Sequence, residues 1–178
     1  MGNSPVSIAL GPIPKVYITN RGSKNVSVID PGTKTVISTV SVGADPSGIA
    51  ITPDGFTAYV TNTGSKSFSV ISTFSNTVIA TVKVGDHPVD VAITPDGASA
   101  YVANAKSNSV SVIDTGTYTV KATVLVGVRP SRVAITSDGA NAYVTNTDSN
   151  SVSVIDTQTN LVTATVPVGV KPVNVMTH

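Results

Sequence analysis

Residues 88–127 read PVDVAITPDGASAYVANAKSNSVSVIDTGTYTVKATVLVG, and the fold follows from their order. Residues 89–94 form an apolar segment, Pro95-Asp96-Gly97 is a turn, and residues 100–104 form a second β-prone segment. After the polar loop Lys106-Ser107-Asn108, residues 109–114 alternate serine and valine, which in a strand puts valines on one face and serines on the other. Thr115-Gly116-Thr117 then reverses the chain into residues 120–126. Four short strands, here named A to D, joined by short turns, make an antiparallel sheet with both faces apolar enough to stack on neighbours.

The same unit recurs. Tyr17, Tyr59, Tyr101 and Tyr143 are 42 residues apart and open the tetrapeptides YITN, YVTN, YVAN and YVTN. Gly43, Gly85, Gly127 and Gly169 keep that step, as do Pro46, Pro88, Pro130 and Pro172 and the turns Asp54-Gly55, Asp96-Gly97 and Asp138-Gly139. Only the first unit breaks it: Pro5 lies 41 residues before Pro46, and Gly11-Pro12-Ile13-Pro14 replaces the Thr-Pro-Asp-Gly turn. This is the irregular end of an array rather than a site. A fixed period of about 40 to 45 residues filled with four strands predicts an all-β propeller, with blades at about residues 5–42, 46–84, 88–126 and 130–168. A β-helix has shorter coils, and a sandwich does not copy its hairpins so closely. Strand A, the most uniformly apolar, is expected innermost.

Composition agrees and excludes several functions. The 178 residues are 40% hydrophobic and 12% charged, with no glutamate, and abundant Val, Thr, Ser and Asn favour strands and turns over helices. A formal charge of +1 gives the whole molecule no electrostatic claim on nucleic acid or anionic membrane. The absence of cysteine removes disulfides, thiolate nucleophiles and Cys-ligated zinc. No apolar run approaches 18 residues, so membrane insertion is not expected, and no leader-like segment precedes Pro5.

The pattern P-x-x-V-A-I-T-x-D-G, A-Y-V-T-N, S-V-S-V-I-D, A-T-V-x-V-G resembles the YVTN family of β-propellers from Pro5 to Met176, with the tetrapeptide verbatim at residues 59–62 and 143–146. The resemblance implies a propeller of surface-layer or other exported kind, in a family some of whose members associate with nucleic acid or redox partners. Such propellers usually carry seven blades. This chain has four sets of B, C and D but five A segments, the last at residues 172–177. If that last segment took the inner place in a partner's first blade, two chains would close an eight-bladed homodimeric ring with no free sheet edge.

Strand alternation sorts the loops onto two faces. The top, holding the D-to-A and B-to-C loops, collects Arg21, Lys24, Lys66, Lys83, Lys106, Arg129, Arg132 and Lys171 against Asp45, Asp86, Asp90 and Asp148. The bottom holds six aspartates against three lysines. Aspartates before glycine or at strand ends are turn caps. The residues before the repeated proline, Asp45, His87, Arg129 and Lys171, and those two after it, Gly48, Asp90, Arg132 and Asn174, differ in type between copies. These eight are the expected contacts to a protein or cell-surface partner or to a ligand. The repeated Asn20, Asn62, Asn104 and Asn146 are expected to hold the B-to-C loops through side-chain to backbone hydrogen bonds. The four tyrosines are expected to pack between blades with hydroxyls at a polar rim.

Catalysis finds little support. His87 lies between Asp86 and Asp90, the only acid–base cluster, and His178 ends the chain. Neither Glu nor Cys is present to complete a metal site or triad, so no cofactor or metal is expected. The function read from the sequence is a non-enzymatic binding or structural scaffold. The competing readings are a single-stranded nucleic-acid binder using the basic top loops and, more remotely, a lactonase- or lyase-like propeller enzyme.

Overall fold

A computed structural model describes residues 2–10 and 14–177; Met1, His178 and residues 11–13, where the sequence departs from the Thr-Pro-Asp-Gly pattern, lie outside it. Four sheets follow one another along the chain. Blade one is β1 (Pro5–Leu10), β2 (Val16–Asn20), β3 (Asn25–Asp30) and β4 (Thr35–Ser41); blade two is β5 (Pro46–Ile51), β6 (Thr57–Asn62), β7 (Ser67–Ser72) and β8 (Thr77–Lys83). Blade three is β9 (Pro88–Ile93), β10 (Ser99–Asn104), β11 (Ser109–Asp114) and β12 (Thr119–Leu125); blade four is β13 (Pro130–Ile135), β14 (Asn141–Asn146), β15 (Ser151–Asp156) and β16 (Leu161–Pro167). Each sheet is antiparallel in the order A-B-C-D. The only helical element among the described residues is a 3-10 turn at Arg21–Ser23. The all-β propeller-type architecture expected from the 42-residue period is what the chain adopts.

The inner strands β1, β5, β9 and β13 pack side by side, while the outer strands only graze one another, so each blade is a wedge. Between wedges lie three equivalent cores. Tyr17, Val26, Val28 and Val40 of blade one meet Ile49, Ala58, Val60 and Ile71 of blade two. Blades two and three repeat the contact with Tyr59, Phe68, Val70 and Val82 against Val91, Ala100, Val102 and Ile113. Blades three and four build it a third time, with Tyr101, Val110, Val112 and Val124 against Val133, Ala142, Val144 and Ile155.

A buried polar lock closes the top of every blade. Asn62 donates from Nδ2 to the hydroxyls of Ser67 and Ser69 at 3.1 and 2.9 Å, and Asn104 and Asn146 do the same to Ser109 and Ser111 and to Ser151 and Ser153. Asn20 reaches Asn25 and Ser27 in the same way. The asparagines therefore tie strand B to side chains of strand C, and the backbone partners expected from the sequence are not used. The repeated glycine explains itself here. A Cβ on Gly43 or Gly85 would stand 2.7 or 2.6 Å from the Cγ of Asn62 or Asn104, closer than any side chain is tolerated.

Residues 172–177 form no strand, a correction to the fifth A segment expected from the sequence. A strand needs a ladder, and among the described residues no B strand lies beside this segment. The inner place of blade one is already filled by β1, paired with β2 from Pro5 opposite Asn20 to Leu10 opposite Val16. The segment is nevertheless laid where an inner strand would begin: Thr147 donates from Oγ1 to the Pro172 carbonyl at 2.9 Å, as Thr63 does to Pro88 at 2.7 Å.

The wedge contact predicts a large asymmetry between apolar positions on covered and uncovered blade faces. Ile113, fully buried between blades, should cost about 2–5 kcal/mol when changed to alanine, because the apolar contact is lost and a cavity remains. Ile8→Ala on the outer face of blade one, where the residue is 62% exposed, should change stability by no more than about 0.5 kcal/mol in the isolated chain. Urea unfolding of both variants checks this, and equal losses would contradict the packing.

Candidate functional site

The D-to-A loops put one residue per blade into an unusual conformation. Asp45, His87, Arg129 and Lys171, and Ser4 ahead of blade one, have φ between 51° and 60°, in the left-handed region, and each precedes the repeated proline. Left-handed backbone favours glycine or asparagine, and a following proline restricts it further. The same conformation recurs elsewhere in the repeat, at Gly55, Gly97 and Gly139 in the A-to-B turns, at Lys24, Lys66, Asn108 and Asn150 in the B-to-C loops, and at Lys34, Asn76, Tyr118 and Asn160 in the C-to-D turns. At the pre-proline position neither glycine nor asparagine appears, although strain of this kind costs of order 1 kcal/mol or more.

The surrounding backbone is fixed. His87 and Arg129 accept hydrogen bonds at their carbonyls from the Ala105 and Thr147 amides at 2.9 and 3.0 Å. The neighbouring Asp86 and Val128 amides donate to the hydroxyls of Ser107 and Ser149. Each loop is thus a rigid perch from which one side chain projects at the top face.

Two of these perches share a cleft. His87, Arg129, Lys106, Asn108 and Asp148, with Ala105 and Val128, line a cavity of about 420 Å³ between blades three and four. Arg129 contacts Asp148 at 3.5 Å, and Lys106 has no ion-pair partner among the described residues. Burial, and then the nearby Lys106 charge, hold the His87 imidazole below its ordinary pKa, with Asp86 opposing. Asp86 itself is engaged by Lys66 at 3.0 Å. Grooves of similar size at the rim, along Lys83, Gly85 and Ser109 and again one blade earlier along Ser41, Gly43 and Ser67, repeat with the blades and are products of the wedge shape. The His87 cleft differs because its lining breaks the repeat: 42 residues earlier Lys106, Val128 and Arg129 become Gly64, Asp86 and His87.

The second row of expected contacts behaves differently. Asp90 accepts the Val133 amide on Oδ2 at 3.0 Å and Arg132 Nη1 on Oδ1 at 3.4 Å, joining the inner strands of blades three and four. Gly48 lies so close to this strand that a Cβ would stand 2.8 Å from the Asp90 Cα. Asp90, Arg132 and Gly48 thus serve strand-to-strand packing, and Asn174 accepts the Val175 amide in the unladdered segment. Tyr17, Tyr59 and Tyr101 pack between blades as expected, while Tyr143 stands half-buried on the uncovered face of blade four. Tyr101 donates to Asn160 of the next blade at 2.8 Å, and burial pushes its phenol up to about 12. Sequence reasoning placed Lys106 and Asp148 on the top face without naming them as contacts and did not single out Asn108; the break in the repeat was the signal that joins them to the cleft.

Among the described residues no group of three or more His, Cys, Asp or Glu gathers at metal-binding distance, and no helix is long and apolar enough to cross a membrane. A family model described as the choice-of-anchor I domain matches residues 6–177. The chain belongs to the choice-of-anchor I domain family. Its resemblance to YVTN propellers therefore holds at the coarser level of a propeller-like repeat protein. The chain is similar to hydrazine synthase of Kuenenia stuttgartiensis, with 32% identity and a TM-score of 0.87 over 92% of this chain and 49% of that one. A protein of unknown function from Desulfotomaculum acetoxidans shares the fold, with 21% identity and a TM-score of 0.82 over 97% and 59% of the two chains. A PE-PGRS family protein of Mycobacterium tuberculosis is 47% identical over 51 residues, 29% of this chain and 11% of that one. The chain spans about half the length of the solved structures it matches and a small part of the curated relative.

The carboxylates give opposite pH signatures. Hydroxyls of Thr52, Thr94 and Thr136, followed by backbone amides, hold Asp54, Asp96 and Asp138 below the usual 3.8, so their contribution is present above that value and is lost as pH falls. Burial raises Asp90, so its ionised form opposes folding: its contribution is complete below 3.8 and is lost as pH rises through the folded value. Thermal unfolding across the acid range should therefore show a shallower acid-side loss in an Asp54→Asn, Asp96→Asn, Asp138→Asn triple variant than in the wild type. Asp90→Asn should gain stability over the wild type at neutral pH and lose that gain in acid. Parallel curves for all three proteins would contradict these assignments.

Proposed function

We propose that this chain is a non-catalytic binding module of the cell surface, which holds an acidic partner at the top-face cleft between blades three and four. One observation carries the reading. His87 and Arg129, each held in left-handed backbone before its proline, meet Lys106 in one cleft whose lining breaks the repeat. Two further cations beside an imidazole select carboxylate, sulfate or phosphate groups.

Membership of the choice-of-anchor I family supports a place at the cell surface. The hydrazine synthase likeness supports the fold, since only 49% of that chain is overlaid. A single-stranded nucleic-acid role fits less well. Tyr17, Tyr59 and Tyr101 are buried between blades, and the most exposed aromatics, Phe56 and Phe74, stand on bottom-face turns away from the cations, leaving no stacking platform at the cleft.

Binding of fluorescently labelled polyglutamate, a sulfated polysaccharide and oligothymidine at low ionic strength tests this. An acidic polymer should bind, binding should weaken with salt, and Lys106→Glu with Arg129→Glu should reduce affinity by about tenfold or more while the circular dichroism spectrum stays unchanged. Preference for oligothymidine would favour the nucleic-acid reading. Failure of all three probes, or indifference to the two substitutions, would overturn the assignment of the cleft.

A further inference from the structure

Two faces of the molecule are halves of a contact that the chain builds three times. At the register of Ile49, Val91 and Val133, each at most 8% exposed, blade one presents Ile8 at 62%. Val16, Ile18 and Ile29 on the same face are half-buried where their copies in blades two to four are fully buried. A groove of about 260 Å³ lined by Pro5, Val6, Ser7, Ile8 and Ile18 runs along this face. At the other end, Tyr143 and Val152 of blade four are half-buried and Val166 is 45% exposed, whereas their counterparts are sealed. The first face is of the kind that receives, and the second of the kind that inserts.

The details at the second end identify what is missing. Gly43, Gly85 and Gly127 each press on the asparagine of the blade that follows them in the chain, and Gly2 presses on Asn20 in the same way. Gly169 stands in the same register with nothing within 4 Å. The segment after it is already aligned, held by Thr147 to the Pro172 carbonyl and by the Thr177 hydroxyl to the Ile135 carbonyl at 2.5 Å. Residues 169–177 therefore carry the glycine, proline and alternating apolar positions of an inner strand, and among the described residues no asparagine underlies them and no B strand pairs with them. Residues 2–10 occupy such a place in blade one, on Asn20 and β2.

We infer that a second copy of this chain supplies the missing half: residues 169–177 of one copy pair with β2 of the other, displacing its residues 2–10, and the reciprocal exchange closes a twofold ring of eight blades. The argument rests on continuity with an existing interface, because the joint between copies repeats the joints within each copy. Exchange of an identical element is a low-cost route to a closed dimer, and it gives residues 169–177 the ladder they lack.

The register makes the inference testable. Ile8 is opposite Ile18, and by the repeat Val175 takes the place of Ile8. The chain has no cysteine, so Val175→Cys with Ile18→Cys introduces the only thiols, at opposite ends of one chain and opposite one another across the exchanged pair. Oxidation should convert the 18.0 kDa chain into a disulfide-linked species of twice that mass, detected by non-reducing electrophoresis, and Val175→Cys with Lys34→Cys should not crosslink. Light scattering of the unmodified protein should give a dimer, deletion of residues 169–178 should give a monomer, and deletion of residues 1–10 should leave the dimer intact. A monomeric wild type would overturn the inference and indicate that any fifth blade comes from elsewhere. A dimer that survives loss of residues 169–178 and does not crosslink would overturn the strand exchange. Neither outcome bears on the top-face cleft, which lies within one chain.

Discussion

A four-stranded sheet with two apolar faces is not stable by itself; it must be covered on both sides, and here the cover is another copy of the same sheet. That single requirement shapes the rest of the molecule. Valine and isoleucine at fixed register meet a tyrosine-bearing face, the inner strands are crowded and the outer strands splay, so the chain curves. Repeat proteins of this kind derive their stability from nearest-neighbour contacts as much as from the individual unit. The outermost faces inherit the same chemistry without the same cover, which is why they carry the large exposed apolar side chains Ile8, Leu10, Val166 and Val170.

Polar groups are handled with equal economy. Each blade needs a way to end strand B, start strand C and receive the incoming loop, and one asparagine does all three, by its two serine hydrogen bonds and by the glycine pressed against it. The carbonyl oxygens of Asn62, Asn104 and Asn146 are buried without a hydrogen-bond partner, a cost repeated in three blades. Because the lock and the A-to-B turn aspartates are the same in blades two to four, they cannot distinguish one of these blades from another. Distinction lies in the loops, where a fixed backbone carries a changing side chain.

Much of this was legible in the residues. The 42-step of Tyr17, Tyr59, Tyr101 and Tyr143 gave the number of sheets, serine–valine alternation gave the faces, and Asp-Gly placed the turns. What could not be read were contacts whose sequence offset depends on how far one wedge is rotated from the next. Tyr101 meets Asn160, 59 residues on, and Arg129 shares a cleft with His87, 42 residues back, only because of that rotation. The left-handed backbone before each proline was equally hidden, since histidine, arginine and aspartate do not advertise it. The segment at residues 172–177 has the composition of a strand yet forms none, because strand formation is a property of the ladder and not of the segment.

The central claim is that cover by neighbouring blades, and not local sequence, stabilises each sheet. The tetrapeptide Tyr-Val-Thr-Asn occurs verbatim in β6 and in β14, the first flanked by two blades and the second by one. Residue-resolved amide hydrogen exchange, at a dilution where light scattering gives single chains, compares identical sequence in the two settings. The account predicts markedly slower exchange at Val60–Asn62 than at Val144–Asn146; equal exchange at the two copies would contradict it.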